Sequence, residues 1–240
     1  MNTTIWNVFG KGALAAAGAA ALVAYLIGSV NASIIISRAA TGEDIRESGS
    51  GNAGATNMLR THGKGLGALT LLIDVLKGVA AVGLAMLYVK YYHSEYITGL
   101  WGSTDLQMWQ ETLDWISLPY IAGFFAILGH NFPLYFGFKG GKGVATSLGV
   151  VLMLDWKTAV IVLVVALAVM LVSKYVSLGS VTAGILYIIL GISKMFYDSS
   201  WNPIRLVLII LIGGLLVVRH HANIQRLMSG TENKLSFKKK

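Results

Sequence analysis

The chain has 240 residues, of which 55% are apolar and only 12% are charged, about half the charged share of an average soluble domain. This composition leaves too few polar side chains to cover a soluble surface, so it predicts an integral membrane protein and excludes a disordered chain. The absence of cysteine excludes disulfides and thiolate catalysis. The net charge of +8, with no soluble domain to carry a basic stripe, does not indicate nucleic-acid binding.

Seven apolar segments predict membrane-spanning helices, because about 20 apolar residues cross the hydrocarbon layer. In chain order they cover 13–36, 66–89, 118–135, 144–154, 158–172, 180–196 and 204–218. The expected fold is an all-α integral membrane protein, one domain over residues 1–240 with a bundle of seven transmembrane helices. Two alternatives stay open. The fourth segment is short, and six crossings would move everything after it to the other side; the first segment could instead be a signal peptide.

Charge asymmetry predicts the orientation of this bundle. Thirteen basic residues fall on one side, whereas the other side holds five basic and six acidic residues. The positive-inside rule therefore places the basic side in the cytoplasm, with the N-terminus extracytoplasmic and the C-terminus cytoplasmic. On the outer side, residues 93–117 form the longest connection, in which Trp109, Leu113 and Ile116 have the spacing of an amphipathic turn.

The connection after the first span is rich in glycine and short polar residues. Its glycines, Gly49, Gly51 and Gly54, match the pattern G-x-G-x-x-G, but no strand precedes them, so a dinucleotide site is not predicted. Backbone amides in a glycine loop, and the start of a helix predicted near Ala53, favour an anion. The polar candidates beside them are Ser50, Asn52, Thr56, Asn57 and Arg60. A turn that needs glycine only for packing is the alternative.

A second glycine-rich connection precedes the fourth segment. Lys142 is followed by Gly143 rather than by Ser or Thr, so the Walker A pattern fails and no nucleotide site is predicted. Glycines interleaved with lysines before a helix nevertheless predict a phosphate site. Its candidate residues are Lys139, Gly140, Gly141, Lys142, Gly143 and Thr146. The alternative is that the lysines only meet lipid phosphates.

Three further polar features need an explanation. The stretch 174–180, with Ser177 and Ser180, is either part of a site or only a tight interhelical turn. His220 and Asn223 share a helix face after the last span, and Glu232 is expected to pair with a nearby Arg or Lys. Within the second span, Asp74 and Lys77 are one turn apart. They form either a structural ion pair or part of an active site.

Two anion-binding loops on one membrane face predict a phosphate-bearing amphiphile as the ligand, since long apolar helices adjoin them. The sequence has no nucleophile-elbow motif and no cluster with metal-ligand spacing, and no cofactor or metal is expected. The predicted site therefore positions an already activated substrate and stabilises charge. A transporter for phosphate esters or other anions, and a structural membrane protein, are the alternatives.

Three stretches of the chain resemble the motifs of the bacterial acyl-phosphate:glycerol-3-phosphate acyltransferases (PlsY type). They are 50–57 (SGNAGATN) with Arg60, 139–146 (KGGKGVAT), and 220–224 with 230–232, and the likeness runs from about Gly28 to Glu232. The resemblance implies transfer of a fatty acyl group from acyl phosphate to the 1-hydroxyl of sn-glycerol 3-phosphate, giving lysophosphatidic acid and inorganic phosphate. It also implies a seven-span protein of the bacterial inner membrane with its active site facing the cytoplasm.

The resemblance also assigns residues and partners. It makes Ser50, Arg60, His220 and Asn223 catalytic and Glu232 structural. It places substrate and phosphate binding on Lys139, Gly140, Gly141, Lys142, Gly143, Ser177 and Ser180. The two anion loops add Gly49, Gly51, Asn52, Gly54, Thr56, Asn57 and Thr146 as binding candidates. The expected partners are acyl phosphate, glycerol 3-phosphate and membrane lipids, with a functional link to a soluble enzyme that makes acyl phosphate, and the expected state is a monomer.

Two departures from the family pattern concern local geometry. Asn31 stands where the family commonly has proline, and His221 stands where it commonly has arginine. For the reaction, direct attack of the glycerol hydroxyl is preferred over an acyl-Ser50 intermediate, because the sequence places no base beside Ser50.

Overall fold

The computed structural model describes residues 11–91, 114 and 116–235, and every regular element in these ranges is helical. The predicted outer connection 93–117, with its amphipathic turn, lies almost entirely outside the described residues. The α-helices are α1 Lys11–Ser29, α2 Ala32–Thr41, α3 Ala55–Tyr91, α4 Leu118–Asn131, α5 Val144–Leu154, α6 Trp156–Ser173, α7 Val176–Tyr197, α8 Pro203–Val218 and α9 His221–Met228. Short 3-10 turns occur at Ile45–Glu47 and Leu134–Phe136.

The helices are those of a multi-pass membrane protein. Four helical stretches among the described residues are long and apolar enough to cross a membrane: Gly12–Thr41, α3, α6 and α7. A fifth is added if α8 and α9, which are bent by 52°, count as one span. Large apolar side chains face outward from these helices; Val172, for example, is 85% exposed. Such a surface suits lipid rather than water.

Seven full crossings are not confirmed. Helix α5 has 11 residues, and at 1.5 Å per residue it is about 16 Å long, roughly half the thickness of the hydrocarbon layer. Helix α4 has 14 residues and ends at Asn131, before the predicted bound at 135. Pro133 follows that end, and a proline cannot supply the amide that a continuing helix needs.

The first predicted span, 13–36, is interrupted. Helix α1 ends at Ser29, and α2 begins at Ala32 with Asn31 as its N-cap, whose side chain accepts from the Ile34 amide at 3.3 Å. At the break, the Val30 carbonyl accepts a hydrogen bond from Lys77 Nζ at 2.9 Å. A backbone carbonyl without a partner is costly at membrane depth, so the buried lysine makes the break possible.

Asp74 and Lys77, which the sequence left as either a structural ion pair or part of an active site, are in contact. Lys77 Nζ lies 2.9 Å from Asp74 Oδ1 and 2.8 Å from His130 Nδ1, and all three side chains are buried. Together with the bond to Val30, these contacts connect α3 to α4 and to the break between α1 and α2. The cluster therefore connects three elements, and its Asp74 and His130 also line the cavity described below.

Glycines allow the helices to cross closely. A Cβ atom at Gly28 of α1 would lie 2.1 Å from the Ala126 carbonyl oxygen of α4, and one at Gly149 of α5 would lie 2.0 Å from the Val75 oxygen of α3. Small residues at such crossings let backbones approach, which is the usual way in which membrane helices pack. The crossings fix α3, α4 and α5, whose ends carry the polar loops.

Candidate active site

A cavity of about 630 Å³ opens where three distant segments meet at one end of the bundle. These are loop 1 (residues 42–54) with the start of α3, loop 2 (residues 132–143), and the bend between α8 and α9. Most of the site residues predicted from sequence line it: Ser50, Gly51, Asn52, Gly54, Thr56, Asn57, Arg60, Gly140, Lys142, Gly143, Ser177, Ser180, His220, Asn223 and Glu232.

Four predicted site residues lie outside this lining: Gly49, Lys139, Gly141 and Thr146. Lys139 is exposed, and its carbonyl accepts from Arg46. Thr146 is fully buried in α5, and its carbonyl oxygen would lie 2.4 Å from a Cβ at Gly78 of α3. Gly141 packs so closely that a Cβ would lie 2.2 Å from His130 Nε2, so close packing requires a glycine there.

Asn57 organises loop 1. Its Nδ2 donates to the carbonyl oxygens of Ile45 and Ser48, at 3.1 and 2.9 Å, and its Oδ1 accepts from the Ser50 amide at 2.9 Å. Both amide hydrogens are thus used within the loop, so the side chain positions loop 1 rather than presenting donors to a ligand. Helix α3 begins at Ala55, two residues later than the predicted start.

Ser50 and Arg60 are left exposed at the cavity. Within the described part of the chain, neither the Ser50 hydroxyl nor the Arg60 guanidinium makes a hydrogen bond. Arg60 lies on the segment of α3 before Gly63, whose backbone is non-helical with φ of 87°, so a kink separates this segment from the rest of α3. The result is a free guanidinium at the mouth of the cavity, suited to paired hydrogen bonds with a phosphate.

Arg46, which no sequence pattern marks as a site residue, joins the two loops. It makes a two-pronged contact with Asp44, at 2.9 and 2.7 Å, and donates to the carbonyl oxygens of Phe136 and Lys139 in loop 2. The side-chain hydrogen bond from Arg46 holds the pKa of Asp44 well below its usual range. The proximity of Asp44 and Arg46 in sequence was the available signal, but nothing local points to loop 2.

Arg219, also unassigned from sequence, anchors loop 2 from the opposite side. Its Nη2 donates to the Gly141 carbonyl oxygen at 2.9 Å, and its guanidinium carbon lies 5.0 Å from the centre of the Phe132 ring. Loop 2 is therefore held by one arginine from loop 1 and another from the end of α8. Both arginines shape the cavity by binding backbone carbonyls.

Lys142 belongs to a hydrogen-bonded network at the wall of the cavity. Its Nζ donates to Asn223 Oδ1, and Asn223 Nδ2 donates to Glu232 at 2.7 Å. Glu232 also accepts from Ser177 at 2.8 Å and pairs with Arg226 at 2.7 Å, which is the type of pair expected from the sequence. The carboxylate fixes the Asn223 amide with its oxygen toward Lys142.

The serines of the stretch 174–180 are not in an interhelical turn. Helix α7 begins at Val176, so Ser177 and Ser180 lie in its first turns. Ser177 donates to Glu232, and Ser180 donates to the Val176 carbonyl at 3.0 Å. Both hydroxyl hydrogens are used inside the protein. Hydropathy placed the start of this span at residue 180, because it marks the apolar part of a helix and not a first turn that contains polar residues.

Burial and charge set the protonation of the polar groups. Burial lowers the pKa of Lys142 to about 8, against the opposing attraction of Glu232. Burial alone would raise the pKa of Glu232, but hydrogen bonds from Asn223, Ser177 and Arg226 outweigh it and keep that pKa below its usual value. Glu232 is therefore ionised at neutral pH, and Lys142 is mostly protonated but close to titration.

His220 lies at the bend as the N-cap of α9. Burial lowers the pKa of His220 to about 4, so the imidazole is neutral at pH 7. Its Nδ1 lies 2.7 Å from the Leu216 carbonyl oxygen, which assigns the hydrogen to Nδ1 and leaves Nε2 as an acceptor. The histidine can accept a hydrogen bond from a substrate hydroxyl, but it is a weak base.

Beyond the polar mouth, the cavity continues as an apolar space among α5, α6, α7 and α8. Its walls there are Leu148, Val151, Val162, Leu163, Ala166, Leu167, Met170, Ala183, Ile212 and Leu216. The arrangement can hold an anionic headgroup at the mouth and a hydrocarbon chain below it, because each part meets surfaces of its own polarity.

Residues 18–230 match the sequence profile of a family described as glycerol-3-phosphate acyltransferase. The chain is 41% identical over 219 residues to a glycerol-3-phosphate acyltransferase of Clostridioides difficile strain 630, covering 91% of this chain and 95% of that protein. It is 40% identical over 226 residues to one of Nostoc sp. strain PCC 7120, covering 94% of each.

Solved structures give the same result. The chain aligns with the crystal structure of PlsY (YgiH), an integral membrane glycerol 3-phosphate acyltransferase, in its glycerol 3-phosphate form. The TM-score is 0.72 at 33% identity, covering 92% of this chain and 96% of that one. The lysophosphatidic acid form of PlsY aligns with a TM-score of 0.69 at 32% identity.

Proposed function

Because the chain belongs to the glycerol-3-phosphate acyltransferase family, we propose that it moves a fatty acyl group from acyl phosphate to the 1-hydroxyl of sn-glycerol 3-phosphate. The products are lysophosphatidic acid and inorganic phosphate. Acylation of glycerol 3-phosphate belongs to phospholipid synthesis. The choice of donor, the regiochemistry and the residue roles below are the parts proposed for this chain.

The observation that carries the proposal is the change of polarity along one cavity. Arg60, Lys142 and residues of loop 1 line its mouth, and mostly aliphatic side chains line its interior. Acyl phosphate has the same two parts, an anionic head and a hydrocarbon tail. A cationic mouth also accepts the phosphate of glycerol 3-phosphate, so both substrates can meet at the carbonyl carbon that reacts.

In the proposed reaction, the 1-hydroxyl oxygen of glycerol 3-phosphate attacks the acyl carbonyl carbon, and the bond from that carbon to the phosphate oxygen breaks. Phosphate leaves with the electron pair and takes the hydroxyl proton, so atoms and charge balance. Arg60 stabilises the charge that develops on the departing phosphate, and Ser50 donates a hydrogen bond to the reacting acyl group. Lys142 binds the phosphate of the acceptor.

His220 orients the acceptor hydroxyl in this scheme. Its Nε2 accepts that hydrogen bond, while the low pKa leaves the proton to the phosphate oxygen, which is the stronger base. Asn223 and Glu232 keep Lys142 in place through the network described above. No described side chain accepts a hydrogen from the Ser50 hydroxyl, which supports direct attack over an acyl-serine intermediate.

The proposed setting is the bacterial inner membrane, with one seven-segment domain working as a monomer. The N-terminus would be extracytoplasmic, and the cavity mouth and C-terminus would face the cytoplasm. The basic residues at the mouth support this orientation through the positive-inside rule. A soluble enzyme that makes acyl phosphate would supply the donor.

A comparison of three acyl donors tests the proposed function. Purified protein in detergent is given labelled glycerol 3-phosphate with palmitoyl phosphate, palmitoyl-coenzyme A or palmitoyl acyl carrier protein. We expect lysophosphatidic acid from the acyl phosphate alone, with one phosphate released per product. Product from a thioester donor but none from acyl phosphate would contradict the proposed donor. A trapped acyl-Ser50 would contradict direct attack.

The pKa of Lys142 predicts a pH dependence. Since this lysine must be protonated to bind phosphate, we expect kcat/KM for glycerol 3-phosphate to fall above about pH 8, nearly tenfold per pH unit, through a rising KM. The Lys142→Arg variant keeps its charge in this range, so its profile should stay flat to about pH 10. An unchanged fall in that variant would assign the titration to another group.

A further inference from the structure

Two cavities meet at one side chain, Tyr187 of α7. The cavity described above and a second cavity of about 270 Å³ both border it, and the other residues of the second cavity lie toward the opposite end of the bundle. Tyr187 is the one residue that the linings of these two cavities share. Only 6% of its surface is exposed. The side chain is therefore a partition between two spaces.

The two spaces differ in polarity. The second cavity is lined by the ion pair of Asp155 and Lys194, which are 2.7 Å apart, and by Arg205 and Thr158. The buried Tyr187 hydroxyl has no hydrogen-bond partner among the described residues, and neither does Nε of Arg205. A space with such walls suits water, whereas a methyl group there would displace the hydration of charged groups.

We infer that Tyr187 is the end stop of the acyl site and sets the longest acyl chain that the enzyme binds fully. This rests on the function proposed above. From Ser177 at the mouth to Tyr187 is ten residues of one helix, a rise of about 15 Å. An extended hydrocarbon chain advances about 1.25 Å per carbon, as C–C bond length and angle require, so about twelve carbons fit along this wall.

Chain length should then affect the rate in two regimes. Each methylene that enters the apolar cavity raises kcat/KM about fourfold, as burial of a CH₂ predicts. Methylenes that would pass Tyr187 give no gain, because the ring blocks them and the space behind is polar. The plot of log kcat/KM against chain length therefore has a break.

Four variants test the position of that break with acyl phosphates of 8 to 20 carbons in detergent. Tyr187→Ala should move the break two to four carbons longer, and Tyr187→Phe should leave it in place, since the ring remains. Ala183, one turn nearer the mouth, also lines the first cavity, and Ala183→Leu should move the break shorter. Met195→Ala removes a buried side chain that lines only the second cavity, and should leave the break in place.

The outcomes separate this inference from the proposed function. If no acyl phosphate is used by the wild type, the function is wrong. If acyl phosphates are used but the break is absent, or stays in place in Tyr187→Ala, Tyr187 is not the end stop and the function stands. Thermal unfolding shows whether Tyr187→Ala folds. If Tyr187→Ala does not fold, Tyr187→Leu and Ala183→Leu test the inference instead. A break that stays in place in both of these variants contradicts it.

Discussion

The Arg60→Ala variant is expected to lose activity by about 10²- to 10³-fold in kcat/KM while it stays folded. The guanidinium lines the cavity and makes no hydrogen bond within the described part of the chain, so its removal leaves no buried partner unsatisfied. What is lost is a charge-assisted donor to the departing phosphate, and loss of one such donor costs about 3–4 kcal/mol in transition-state stabilisation.

Lys64→Ala is the matched control for this prediction. Lys64 is an exposed cation four residues from Arg60, beyond the kink at Gly63, and lies outside the cavity lining. Its removal should change kcat/KM less than twofold, and both variants should unfold at the wild-type temperature. Equal activity of the two variants would show that Arg60 does not act on substrate.

The largest effect on stability is expected for Lys77→Met. This change leaves the buried Asp74 without its cationic partner at 2.9 Å, and it removes the donor to the Val30 carbonyl at the break between α1 and α2. Removing one partner of a buried ion pair costs about 3–5 kcal/mol. For a chain of this size, that corresponds to a fall of roughly 10 °C in Tm. Thermal unfolding in detergent measures it.

The double variant Asp74→Leu/Lys77→Met controls for the lost charge. With both charges gone, no ion is left buried alone, so part of the Tm should return, although the Val30 carbonyl still lacks its donor. A double variant less stable than Lys77→Met alone would show that the ion pair is not the source of the effect.

The features of this protein that the sequence predicts are those that depend on residues close together in the chain. Hydropathy located most of the helices, and α5 has the predicted bounds, Val144–Leu154. The glycines and cations of the two loops identified most of the cavity mouth, because an anion site needs flexible backbone and positive charge close together in sequence. The Asp74–Lys77 pair followed from helical spacing.

What sequence could not predict depends on contacts between distant residues. Lys77, which is 46 positions from Asn31, supplies a hydrogen bond to the backbone at the helix break. Hydropathy does not show this contact, so it predicted one continuous span. Arg46 and Arg219 bind carbonyls about 80 to 90 positions away, and no local pattern marks them. Tyr187 resembles any aromatic residue in an apolar helix until the two cavities that it borders are known.

These contacts separate the side chains that hold the loops from the side chains whose donors stay available to a ligand. Asn57, Arg46 and Glu232 make their hydrogen bonds to protein atoms and fix the loops, and Arg219 holds loop 2 through Nη2. The Arg60 guanidinium and the Ser50 hydroxyl make no hydrogen bond within the described part of the chain, so we propose that they bind substrate together with Lys142. Such separation lets the site hold charged donors ready for phosphate without reorganising during the reaction.

Protection from thiol labelling tests most directly whether loop 1 and the α8–α9 bend form one phosphate-binding pocket. The chain contains no cysteine, so Ala55→Cys beside loop 1, Ala222→Cys at the bend and Ala40→Cys outside the lining each carry a single thiol. Glycerol 3-phosphate should slow maleimide labelling of the first two and leave the third unchanged. Protection of only one of the two, or of neither, would contradict a shared pocket.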